Sequence, residues 1–123
     1  MTLVSDSLAR LETESLPATW LAVRLGTDDR RVDAMRRAGE LLAVRGAGGE
    51  YRYPSWQFGP DGNTLPAIPR IVAAARAAGL DDTRLYEVMH MRLGLAGERR
   101  LVDVLREGED DTVVAAVAQS TRR

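Results

Sequence analysis

TWLAVRLGTDDRRVDAMRRAGELLAVRGAGGEYRYP, residues 19–54, is the stretch on which the fold expectation turns. Pro17 and Ala18 open a helix in which Trp20, Leu21, Val23 and Leu25 supply apolar surface, with Ala22 leaving room for a close neighbour. Gly26 ends it, where a left-handed backbone carries no Cβ penalty. Thr27 is the expected N-cap of a second helix, and Asp28 and Asp29 suit its positive end. In that helix Val32 and Met35 pack inward at i, i+3, while Arg30, Arg31, Asp33, Ala34 and Arg37 spread over the outer arc. Gly39 stops it. Two antiparallel strands are expected at 41–45 and 50–53, joined by Gly46-Ala47-Gly48-Gly49, a connection able to take the positive φ that hairpin turns need. Helix, turn, helix and glycine-tipped hairpin, in that order, make a winged helix-turn-helix, an arrangement suited to gripping a DNA duplex.

The residues expected at a double-stranded DNA surface are Thr27, Arg30, Arg31, Ala34 and Arg37 on the second helix and Arg45 and Arg52 on the wing, with Gly48 and Gly49 as the wing turn. Arginine suits bidentate contacts with guanine and phosphate. Any solvated helix also shows an arginine-bearing face. The acids Asp28 and Asp29 either repel phosphates or cap the helix and hold Arg30 and Arg31 in place.

Composition narrows the classes. A chain of 123 residues supports one domain or a small domain with a helical extension. No cysteine is present, which excludes disulfides and thiolate chemistry and makes a reducing cytoplasm the simplest compartment. No apolar run approaches the ~20 residues of a membrane helix. MTLVSDSLARLETES carries acids and no apolar core, so no signal peptide is expected. A net charge of −1 argues against non-specific coating of nucleic acid. All 17 basic residues are arginine, a bias that GC-rich codons also produce. Residues 24–52 hold seven arginines against five acids, and residues 97–118 three against six. A basic head and an acidic tail suit a DNA binder with a second partner surface.

Beyond the wing, Trp56 and Phe58 are expected to staple it to the helices that follow, with a DNA-groove wedge as the alternative. Residues 59–63 read as a loop. A helix is expected over 67–78, with Ile68, Ile71, Val72 and Ala75 on one stripe and Arg70 and Arg76 elsewhere. Gly79 stops it, and Asp81 or Asp82 caps another helix through about Met91, where Leu85, Val88, Met89 and Arg92 follow helical spacing. Residues 101–117 read as two short helices broken at Gly108. Leu101, Val104 and Leu105 pack on one, and Val113, Val114 and Val117 on the other. That stripe either completes the core or faces a partner; Leu101, Leu105, Val113 and Val117 are the expected partner residues. Ser120 onward is a frayed end.

No catalytic constellation is found, and the chain is not expected to be an enzyme. His90 is the single histidine. Without cysteines or a carboxylate pair at ligand spacing, neither a metal site nor a histidine-based triad has support. No cofactor is expected: there is no lysine for a phosphate loop, and Gly46, Gly48 and Gly49 lie between strands rather than before a helix.

Residues 19–54 resemble the winged helix-turn-helix of the excisionase and MerR-like superfamily, through Ala22, Leu25-Gly26-Thr27, Val32, Arg37, Gly39, Leu41, Ala43-Val44-Arg45, Gly48-Gly49 and Tyr53-Pro54. LLAVRGAGGEYRYPSWQF followed by GNTLPAIPRIVAAARAAG resembles actinobacterial winged-helix regulators with a small helical C-terminal part. LGLAGERRLVDVLREGEDDTVVAAVA is similar to the closing segment of Xre/MbcA/ParS-type antitoxins, which pair with NAD-degrading toxins of the RES fold. Together these cover about residues 17–118.

The expectation is therefore a mainly α protein with a small β-hairpin wing. It comprises an N-terminal extension (1–16), a winged helix-turn-helix (17–58) and a C-terminal helical module (65–118) for dimerisation or partner binding. The expected function is that of a cytoplasmic bacterial transcriptional regulator that binds DNA and no membrane. The alternatives are an antitoxin that neutralises a RES-type toxin and represses its own operon, and an excisionase-like accessory factor.

Overall fold

The computed structural model describes residues 5–91 and 99–120. Helix α1 (Ser5–Thr13) leads into strand β1 (Ser15–Pro17), and helices α2 (Ala18–Arg24) and α3 (Asp29–Arg37) follow. Strands β2 (Val44–Arg45) and β3 (Tyr51–Pro54) form the hairpin, and a 3-10 turn covers Ser55–Gln57. Helices α4 (Ile68–Ala77), α5 (Asp82–Met89), α6 (Leu101–Arg106) and α7 (Asp110–Gln119) complete the described chain. The protein is thus mainly helical with one small antiparallel sheet of order β1-β3-β2. No described helix is long and apolar enough to cross a membrane.

The helix boundaries follow local chemistry. After α3, Gly39 takes φ +81°, so that Glu40 N–H donates to Met35 C=O and Gly39 N–H to Arg36 C=O. This is a Schellman closure, and the glycines after α2, α4 and α6 make the same pair of bonds. Asp28, not the expected Thr27, caps α3: its own backbone is extended, and its carboxylate accepts from Arg31 N–H at 2.9 Å. Asp81 caps α5 in the same way. That helix ends at Met89, two residues short of expectation; Arg92 lies outside the described residues.

Residues 5–16 do more than extend the head. Leu11 is fully buried, and Ser15, Leu16 and Pro17 register with Pro54, Tyr53 and Arg52. β1 is an edge strand, where the missing N–H of Pro17 is tolerated. β2 is shorter than the expected 41–45 because the Leu42 backbone is bonded to a side chain. Gln57, fully buried, accepts from Leu42 N–H at 2.9 Å and donates to Leu42 C=O at 2.8 Å and Pro54 C=O at 3.1 Å.

Two apolar clusters flank this segment, and its side chains alternate between them as extended backbone dictates. Leu41 and Ala43 join Leu21, Ala22, Val32 and Tyr53 in the head cluster, with Leu25, Met35 and Phe58 packed against it. Leu42 and Val44 join Leu11, Trp56 and the buried faces of α4 to α7. The α4 stripe of Ile68, Ile71, Val72 and Ala75 is buried as expected. Two expectations for α2 fail: Trp20 and Val23 are 70% and 81% exposed. Leu21, Ala22 and Leu25 occupy the inward arc, and the 100° step per residue turns their apolar neighbours to solvent.

Candidate nucleic-acid interface

Helix α3 follows α2 after the turn Leu25-Gly26-Thr27-Asp28, and its inward residues Val32 and Met35 bind it to the head cluster. This leaves Arg30, Arg31, Ala34 and Arg37 exposed, as expected for its outer arc. Arg30 and Arg31 make no side-chain hydrogen bond or ion pair among the described residues. The Asp28 carboxylate beside them is occupied with the cap. Thr27 is half-buried before the helix. Arg37 is less free, because Asp33 pairs with both Arg37 and Arg36. The Arg36 hydrogen bond, with Arg37 adding to it, holds the Asp33 carboxyl below its usual range.

Arg36 was not singled out from sequence, yet it joins the helix to the wing. Its guanidinium lies 4.0 Å from the Tyr51 ring centroid, and that of Arg45 lies 4.5 Å from the same ring. Arg45 also donates to Gly49 C=O at 2.8 Å and to the Tyr51 hydroxyl at 3.2 Å. Arg45 is thus an exposed cation held on the hairpin. Gly48 and Gly49 form the turn as expected, with Gly49 at φ +85° and its N–H bonded to Gly46 C=O. The exposed Glu50 reaches back against Gly46 and Gly48, which places a carboxylate at the wing tip.

Arg52 departs from expectation. Its guanidinium donates to Ser15 Oγ at 2.9 Å and Ser15 C=O at 3.1 Å, so it ties β3 to β1 rather than standing free for phosphate. Arg76 is a second structural arginine. From α4 it reaches the carbonyls of Arg36 and Arg37 at 3.3 and 3.4 Å, closing the negative end of α3 and joining the head to the C-terminal helices. Sequence offers no signal for these roles, since an arginine's partner is set by tertiary placement.

The expected partner residues are corrected outright. Leu101, Leu105, Val113 and Val117 are between 0 and 3% exposed and pack inside the chain's own second cluster. His90 is half-buried, its Nδ1 2.9 Å from Tyr86 C=O and its ring edge-on to Trp56. No group of three or more His, Asp or Glu side chains among the described residues is arranged to hold a metal ion.

No family model and no curated protein matches the chain. Its fold is similar to that of the NMR structure of Rv2175c, with a TM-score of 0.75 at 23% identity, over 85% of this chain and 78% of that one. At that identity the likeness bears on fold alone.

Proposed function

We propose that this chain is a cytoplasmic DNA-binding protein, acting as a transcriptional regulator through α2, α3 and the β2–β3 hairpin. The observation that carries the reading is the pair Arg30 and Arg31. Both are exposed and unpartnered among the described residues, on the first turn of a helix whose opposite face is anchored in the core. A B-form major groove admits such a helix, and two guanidiniums there reach guanine edges or the bordering phosphates. Arg45 on the hairpin then meets the neighbouring backbone, supplying affinity rather than sequence choice. With a net charge of −1, binding depends on this local surface and not on an overall basic field.

Selection of a random duplex library against the purified protein, followed by fluorescence anisotropy, tests the reading. The expected result is one enriched motif, bound at least ~1000-fold more tightly than scrambled duplex at physiological salt. A library with no enriched motif, and equal affinity for all duplexes, overturns it.

A further inference from the structure

A cleft of about 350 Å³ opens between the 3-10 turn, the loop that follows it and α6. Trp56, Phe58, Leu65 and Leu105 supply its apolar wall and Ser55 and Arg106 its polar groups, and no carboxylate lines it among the described residues. Arg106 is exposed and has no ion-pair partner among the described residues. The acids next along the chain, Glu107 and Glu109, both accept from Arg99, and Asp103 one turn earlier is bonded to Arg100. The Arg106 guanidinium therefore carries no direct ion pair at the rim among the described residues, although Asp103 feels its charge. Trp56 is only 6% exposed, and its buried Nε1–H meets no acceptor among the described residues.

A cleft of small-molecule size, apolar on one side and polar on the other with one cation at its edge, suits an amphipathic body carrying one negative charge. We propose that this cleft binds a small amphipathic monocarboxylate, an aryl or branched-alkyl acid whose carboxylate pairs with Arg106 and whose body lies against Trp56, Phe58, Leu65 and Leu105. The site is placed to influence the wing. Trp56 and Gln57 directly follow β3, and Gln57 holds the Leu42 backbone beside β2. A body seated against Trp56 therefore presses on the turn that braces the hairpin.

The chain has two tryptophans, so Trp20→Phe leaves Trp56 as the only indole reporter. In that background, 3-phenylpropionate is titrated while Trp56 emission is followed, with the neutral alcohol 3-phenylpropanol as control. The expected result is a saturable change with a dissociation constant in about the millimolar range or tighter. Binding of the alcohol, and of the acid to an added Arg106→Gln change, is expected to weaken by roughly tenfold. Because Arg106 is exposed, its replacement leaves the fold in place. No saturable change with the acid, equal binding of acid and alcohol, or undiminished binding by the Arg106→Gln protein each overturns the proposal. No arm uses DNA, so failure here is separate from failure of the proposed function.

Discussion

Replacing Gln57 by leucine asks whether one buried amide holds the hairpin to the rest of the molecule. The side chain is fully buried and makes three hydrogen bonds, two to the Leu42 backbone and one to Pro54 C=O. Leucine has nearly the same volume, so the Gln57→Leu change removes the bonds without opening a large cavity. Leu42 is 2% exposed, and its abandoned N–H finds no water. An unsatisfied buried donor costs ~1–3 kcal/mol, and the two carbonyls add to that. Burying leucine in place of an amide returns part of the loss, leaving a net destabilisation of ~2–4 kcal/mol. For a chain of this size that lowers Tm by roughly 6–20 °C. Urea unfolding followed by circular dichroism, with m unchanged, measures it. A Gln57→Leu protein within ~0.5 kcal/mol of wild type refutes the reasoning, since surface changes fall in that range.

Three further outcomes follow from the same structure. Arg45→Ala should lower the slope of log K against log salt by about one unit and lower Tm less than Arg52→Ala does, because the Arg45 bonds are exposed and the Arg52 bonds to Ser15 are part-buried; anisotropy and melting of both variants check this. Burial, with Arg10 and Arg100 adding to it, holds His90 below the ordinary 6.5 against the opposing Tyr86 carbonyl, so its neutral form favours the fold. The stability it contributes is complete above 6.5 and is lost as pH falls through the lowered value, so wild type should lose more Tm than His90→Gln between about pH 7.5 and pH 5; equal losses contradict the assignment. A chain ended after Gly94 should fail to melt cooperatively. It lacks Leu101, Val104, Leu105, Val113 and Val117, all buried, at ~1.5–3 kcal/mol each against a whole-domain stability of ~5–15 kcal/mol; a sharp melt for the shortened chain contradicts this.

Much of the architecture was legible because its punctuation is local. Gly26, Gly39, Gly79 and Gly108 end helices by the same backbone bonds, and the α4 stripe repeats over enough turns to set its phase. The three-residue β1 is too short to show a period, and its partners lie far along the chain, Ser15 opposite Pro54 and Pro17 opposite Arg52, so the pairing exists only in the folded chain. In α2 nearly every position is apolar, so hydropathy alone does not say which face turns inward; Leu21 and Ala22 do, and Trp20 does not. Gln57 sits between two aromatics and looks like a surface residue until its amide meets the Leu42 backbone. The candidate site divides the same way. Exposure of Arg30, Arg31, Ala34 and Arg37 follows from helical phase around Val32. The diversion of Arg52 to Ser15, of Arg36 to Tyr51 and of Arg76 to the end of α3 depends on contacts far away in sequence.

The most direct test of the DNA-binding reading is anisotropy of the selected duplex with the Arg30→Ala, Arg31→Ala double variant. Each base-reading contact is worth ~1–3 kcal/mol, so two lost contacts should weaken specific binding by roughly 30-fold or more. Both side chains are exposed and unpartnered among the described residues, so the thermal melt should coincide with that of wild type. Wild-type affinity in a double variant that melts normally would contradict the account, because it would take helix α3 out of the interface.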